Sequence, residues 1–105
     1  EKLEIYRKLI LKWNEKINLP AITDEEAMNT KHFLDCLLLA KTGLFDDDKS
    51  ILDVGTGAGF PAIPLKLYNE NLKVTMLDSL NKRIKFLNIV IDDLNLKNIK
   101  ALILF

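Results

Sequence analysis

Ile51-Leu52-Asp53-Val54-Gly55-Thr56-Gly57-Ala58-Gly59-Phe60 decides the fold of this 105-residue chain. Ile51, Leu52 and Val54 have the size and β-branching of a buried parallel strand. The glycines at 55, 57 and 59 then let a strand reverse toward a helix within a few residues, through backbone angles closed to side chains, and they leave the main chain bare. Pro61 and Pro64 agree with a helix beginning about Phe60. The first four amides of a helix have no internal partner, so proline loses nothing there.

Two common glycine loops do not fit. A phosphate-cradling G-x-x-x-x-G-K-[ST] loop is excluded, because no Gly-Lys-Ser or Gly-Lys-Thr occurs in the sequence. The dinucleotide fingerprint G-x-G-x-x-G fails by one residue, with Phe60 standing where the third glycine belongs and Gly59 arriving early. A cofactor carrying a ribose also needs a carboxylate at the tip of the second strand, about 20 residues beyond the glycines. Asp78 stands there, with Ser79 beside it, after the strand-like run Lys73-Val74-Thr75-Met76-Leu77. Asp78 or Ser79 is also placed to cap the helix that follows, a role compatible with ribose binding.

Downstream of Ser50 the pattern reads strand, helix 60–69, strand 72–78, helix 80–95, strand 99–105. Such alternation predicts right-handed crossovers and a parallel sheet. Upstream, Leu3, Tyr6, Leu9, Ile10, Trp13 and Ile17 recur at steps of three and four and predict an amphipathic helix over residues 1–18. After the break at Pro20, Thr23 or Asp24 caps a second helix running to about Lys41. Asp46-Asp47-Asp48 reads as a solvated loop, since no other ligands are spaced around it for a metal. The organisation expected is a helical extension over 1–49 and the first half of a Rossmann-like domain over 50–105. An apolar strand ending at Phe105 would leave a bare sheet edge, so the chain is read as part of something longer.

Composition bounds the remaining classes. Hydrophobic residues make up 49% and charged residues 29%, which permits a small core and excludes disorder. Fifteen basic residues balance fifteen acidic ones, so any nucleic acid must be held by local patches rather than by global charge. Cys36 is the sole cysteine, which rules out an internal disulfide or a zinc cluster and suits a buried helix position. No apolar run approaches the roughly 18 residues that span a bilayer, and a cytoplasmic protein without membrane association is expected.

Four stretches together narrow the reading: Trp13-Asn14-Glu15-Lys16-Ile17-Asn18-Leu19, Lys31-His32-Phe33-Leu34-Asp35, Leu52 through Leu65, and Leu77-Asp78-Ser79-Leu80-Asn81-Lys82-Arg83. Asp-x-Gly-x-Gly-x-Gly resembles the first motif of class I S-adenosylmethionine methyltransferases. The order and spacing of all four stretches resemble the bacterial 16S ribosomal RNA guanine-N7 methyltransferases, also called glucose-inhibited division protein B. Departures are small: Pro20 stands where that family usually has threonine, and Cys36 where it has serine.

The resemblance implies an α/β fold, a class I Rossmann-like parallel sheet truncated to about three strands, with an N-terminal helical extension. It implies S-adenosyl-L-methionine as cofactor over Asp53, Gly55, Gly57, Gly59, Phe60, Asp78 and Ser79, with Asp78 on the ribose hydroxyls. The implied partner is 16S ribosomal RNA or the small ribosomal subunit, with no metal, and the protein acting as a monomer. The family's adenine-holding motif would lie beyond Phe105, so this fragment by itself is expected to be inactive. Guanine N7 has an in-plane lone pair, so no catalytic acid or base is assigned; alignment is the task.

His32 and Asp35, three residues apart on one helix face, form either a structural hydrogen-bonded pair or part of the cofactor or RNA side of the site. Lys82, Arg83 and Lys85 either meet RNA phosphate or form a solvated basic face. Two other classes stay open at this point: a nicotinamide-dependent oxidoreductase, and a non-catalytic cofactor-binding fragment.

Overall fold

The structure, a computed structural model, describes residues 1–13 and 34–104. Its elements are α1 (Lys2–Trp13), α2 (Leu34–Ala40), β1 (Ser50–Val54), α3 (Ala62–Tyr68), β2 (Lys73–Asp78), α4 (Asn81–Asp93) and β3 (Ile99–Ile103). The predicted turn and second-helix start at residues 14–33, with His32, and the strand end at Phe105 lie outside the described residues.

The three strands form one parallel sheet in the order β1-β2-β3. Asp53 lies level with Met76 and Val54 with Leu77, while Met76 pairs with Ala101 and Asp78 with Ile103. Successive right-handed crossovers in one direction put α3 and α4 on the same face. Val74, Met76 and Ala101 point into that face and join Ile63, Leu65, Phe86, Leu87 and Val90 in the core. Each large side chain buried there contributes about 1.5 to 3 kcal/mol. On the opposite face Leu52, Val54 and Leu102 are exposed.

Helix α1 crosses the outer side of α3 and α4 and touches both. Tyr6 and Ile10, one turn apart, are fully buried, and Trp13 lies tilted against Phe86 with ring centroids 6.3 Å apart. Leu3, predicted for the same stripe, is instead 46% exposed, because it borders an open cleft between the starts of α1 and α2 and the body of α3. Glu4 and Arg7 pair across the outer surface.

Helix α3 begins at Ala62, two residues later than the predicted start at Phe60. Gly59 and Phe60 both donate to the carbonyl of Thr56, which closes a separate turn before the helix starts. Pro64 therefore occupies the third helical position, where its missing N–H costs nothing. At the other end, Lys66 is almost wholly buried and its ammonium donates to the carbonyls of Glu70 and Leu72, a cap that the sequence pattern does not reveal. Asn69 donates to Phe45 and Asp47 carbonyls and Tyr68 to Asp46, which ties down the acidic connection before β1.

The cap expected for α4 from Asp78 or Ser79 is not formed. Leu80 occupies the cap position and no side chain caps the helix. The carboxylate of Asp78 stops two residues short, accepting from the Leu80 N–H at 3.0 Å in a local turn, and turns to the glycine loop instead.

Candidate cofactor site

At the carboxyl end of β1 the ladder runs past the strand, with Gly55 and Thr56 N–H groups both donating to Leu77 at 2.8 and 3.1 Å. This fixes the loop against the tip of β2, the edge where open α/β sheets take ligands. Gly55, Gly57 and Gly59 all have positive φ. Their tasks differ.

At Gly55 a Cβ would meet nothing within 4 Å, so its main chain faces open space at the strand tip. A Cβ on Gly59 would lie 2.5 Å from Ile63 Cδ1 and 3.1 Å from Leu87 Cδ2. Gly59 thus lets α3 and α4 close on the loop, and Gly55 leaves backbone available to a ligand.

Gly57 is held through its N–H, which donates to Asp78 Oδ2 at 2.9 Å. The same oxygen takes Arg83 Nη1 at 3.4 Å, and Oδ1 takes the Leu80 N–H. Asp78 is only 2% exposed. An ionised carboxylate has about four acceptor positions, so three donors leave capacity for one more, on Oδ1. The ribose acceptor expected from the sequence is therefore also the clasp between the two strand tips. Ser79 stands exposed beside it.

Asp53, at the end of β1, accepts from Thr56 Oγ1 at 2.8 Å. Burial raises its pKa, opposed by the Thr56 hydroxyl and the Ala62 backbone and reinforced by Asp78. Its role is to hold the loop's first turn. Phe60 is half-buried, its ring tilted on Tyr6 with centroids 5.7 Å apart, and the Tyr6 hydroxyl donates to the Ala58 carbonyl at 2.7 Å. The sequence pattern marks Tyr6 only as a core position. The available signal is a hydroxyl in a buried stripe, which must find an acceptor.

Beside Phe60 and Pro61 a cavity of about 290 Å³ is lined also by Asp35, Cys36 and Leu39. Asp35 is exposed, while the Cys36 thiol is buried and pushed up to about 11, first by burial and then by the charges of Asp35 and Asp53. That suits an inert packing residue. A larger cleft of about 530 Å³ lies between the starts of α1 and α2 and the body of α3, away from the strand tips, so size alone does not mark the site. Of the three basic residues on α4, Lys82 and Lys85 are exposed, whereas Arg83 is turned onto Asp78 with its side chain 21% exposed. Among the described residues no group of three or more His, Cys, Asp or Glu is placed to hold a metal, and no helix is long and apolar enough to cross a membrane.

The residues present fit an S-adenosylmethionine site: bare backbone at Gly55, remaining acceptor capacity at Asp78, and an aromatic face at Phe60. A parallel sheet with this loop at its carboxyl edge defines a truncated class I methyltransferase fold. Solved structures agree: a SAM-dependent methyltransferase from Aquifex aeolicus matches with a TM-score of 0.61 and 25% identity, over 95% of this chain and 47% of that one. Coclaurine N-methyltransferase, solved with N-methylheliamine and SAH, matches in fold with a TM-score of 0.53 and 16% identity, over 97% of this chain and 40% of that one.

The sequence model of rRNA small subunit methyltransferase G matches residues 1–103, and the chain belongs to that family. Ribosomal RNA small subunit methyltransferase G of Clostridium botulinum (strain Eklund 17B / Type B) is 53% identical over 102 residues, 97% of this chain and 43% of the relative. The protein of that name in Clostridium perfringens (strain 13 / Type A) is 51% identical over the same shares. The chain thus spans less than half the length of the curated relatives it matches.

Proposed function

We propose that this chain supplies the first half of the S-adenosylmethionine pocket of an enzyme that methylates N7 of a guanine in 16S ribosomal RNA. The observation that carries the reading is the glycine loop with its Gly55 backbone bare and its Gly57 N–H clasped by Asp78. Family membership supports the RNA substrate and speaks against the nicotinamide alternative. Residues 1–49 form the proposed extension, whose described helices α1 and α2 pack on the first half of the cofactor domain.

When bound, the cofactor supplies an electrophilic sulfonium methyl group. Gly55 and Phe60 would bound its site with bare backbone and an aromatic face, Asp78 would accept from the ribose hydroxyls with Ser79 alongside, and Gly57, Gly59 and Asp53 keep the loop in shape. The nucleophile already carries an in-plane lone pair, so no side chain of this chain has to remove a proton. Alignment supplies the rate, and holding reacting atoms at near-attack distance is worth several kcal/mol. Lys82 and Lys85 are exposed on the helix that starts beside Asp78, where they serve as phosphate contacts that position RNA without reading sequence. The enzyme works as a cytoplasmic monomer, where ribosomes are made.

The test is methyl transfer by the full-length protein to 16S ribosomal RNA or small subunits from cells lacking it, with methyl-labelled S-adenosylmethionine. Nuclease digestion and mass spectrometry should find 7-methylguanosine. Label on another base, or no label, contradicts the reading.

A further inference from the structure

Tyr6 belongs to the N-terminal extension, yet both ends of its side chain engage the cofactor loop. The ring packs on Phe60 and the hydroxyl donates to Ala58, the residue between Gly57 and Gly59. Ala58 is 2% exposed and Tyr6 fully buried, so water has little access to replace the phenol as donor. Beyond the ladder bonds that Gly55 and Thr56 make to Leu77, the loop is therefore held at two further peptides, by Asp78 at the Gly57 N–H and by Tyr6 at the Ala58 carbonyl. Glycines on either side give this stretch the conformational freedom that such pins must remove before a ligand can find a preformed site.

Resting on the S-adenosylmethionine reading of the loop, we infer that Tyr6 is a positioning residue for the cofactor, through which the N-terminal helix sets the shape of the glycine loop. The extension then shapes the cofactor site from behind the loop, through a side chain that does not itself line it. Burial, with the charges of Cys36 and Asp53, raises the Tyr6 pKa well above its ordinary value, so the phenol stays protonated and remains a donor at working pH.

Tyr6→Phe keeps the ring and removes the donor. In the full-length protein it should weaken S-adenosylhomocysteine binding about tenfold, the loss expected when roughly one molecule in ten holds the loop in its binding shape. The KM for S-adenosylmethionine should rise in step, with kcat changed less than about twofold. Ile10→Val, one turn along α1 and equally buried, lowers the melting temperature without touching the loop and should leave S-adenosylhomocysteine affinity as in the wild type. In the unmutated protein, S-adenosylhomocysteine should slow amide exchange in residues 2–13 together with 55–60.

Wild-type affinity in Tyr6→Phe, affinity losses that merely follow the melting temperature in both variants, or protection confined to the loop would overturn the inference. A wild-type protein that does not bind S-adenosylhomocysteine contradicts the function proposed for the site, and the positioning role falls with it.

Discussion

Asp78 Oδ2 accepts the Gly57 N–H at 2.9 Å, so one carboxylate at the tip of β2 fixes the loop that closes β1. With Leu80 and Arg83 as its other donors, the proposed ligand acceptor is also a structural clasp. Asp78→Ala leaves two main-chain donors and a guanidinium without this acceptor and should cost about 2 to 4 kcal/mol in urea unfolding. Unchanged stability would show that the clasp is not formed in solution.

The two ends of the glycine run should answer differently to the same substitution. Gly59→Ala drives a methyl group into Ile63 and Leu87 at a φ of +97° and should destabilise by about 2 to 4 kcal/mol. Gly55→Ala has room, so it should cost only about 1 to 2 kcal/mol for its left-handed backbone while impairing S-adenosylhomocysteine binding. Paired urea melts and titrations check this; equal destabilisation at both positions would contradict the division of tasks.

Asp53 gives a pH signature. Its pKa in the folded protein is raised above the ordinary 3.8, mainly by burial, so the native state holds that proton more tightly than the unfolded chain. The contribution to stability is present below the unfolded value and is lost as pH rises through the folded one. Asp53→Asn can still accept from Thr56 and does not titrate. Its melting temperature relative to wild type should climb as pH rises from below 3.8 through the raised value, then stay level. A gap independent of pH would rule out this linkage.

How much of the molecule is legible in its sequence varies by residue, for physical reasons. The order of strands and helices from Ser50 onward is readable, because Ile51–Val54 and Val74–Leu77 carry β-branched apolar runs, and glycine and proline punctuate the turn between them. Element ends are less so: Ser79 and Pro61 have the right chemistry for helix starts, but the Asp78 and Thr56 hydrogen bonds take the backbone there into turns first. Spacing from the glycines marks Asp78. Its commitment to Gly57 is hidden, since nothing local reports a contact 21 residues away. The same holds for Tyr6 and Ala58, 52 residues apart, and for Arg83, whose charge looks outward in sequence and is turned onto Asp78 in space.

Lys82 and Lys85 are the exposed basic side chains of α4 and the proposed phosphate contacts. Replacing both with Ala in the full-length protein should weaken RNA binding and flatten the plot of log affinity against log salt by about 0.7 to 0.9 for each phosphate no longer neutralised. Arg83→Ala should lower stability and leave that slope unchanged, because its charge is matched by Asp78. An unaltered slope in the double lysine variant would remove α4 from the RNA surface.

The loop from Gly55 to Phe60 and the carboxylate of Asp78 are proposed to hold S-adenosylmethionine. Calorimetric titration of the full-length protein with S-adenosylhomocysteine and with NADH tests this most directly. Saturable binding of the homocysteine compound at one site, abolished by Gly55→Ala combined with Asp78→Ala, and none of NADH, is the predicted result. NADH binding without S-adenosylhomocysteine, or S-adenosylhomocysteine binding that survives in the double variant, would contradict it.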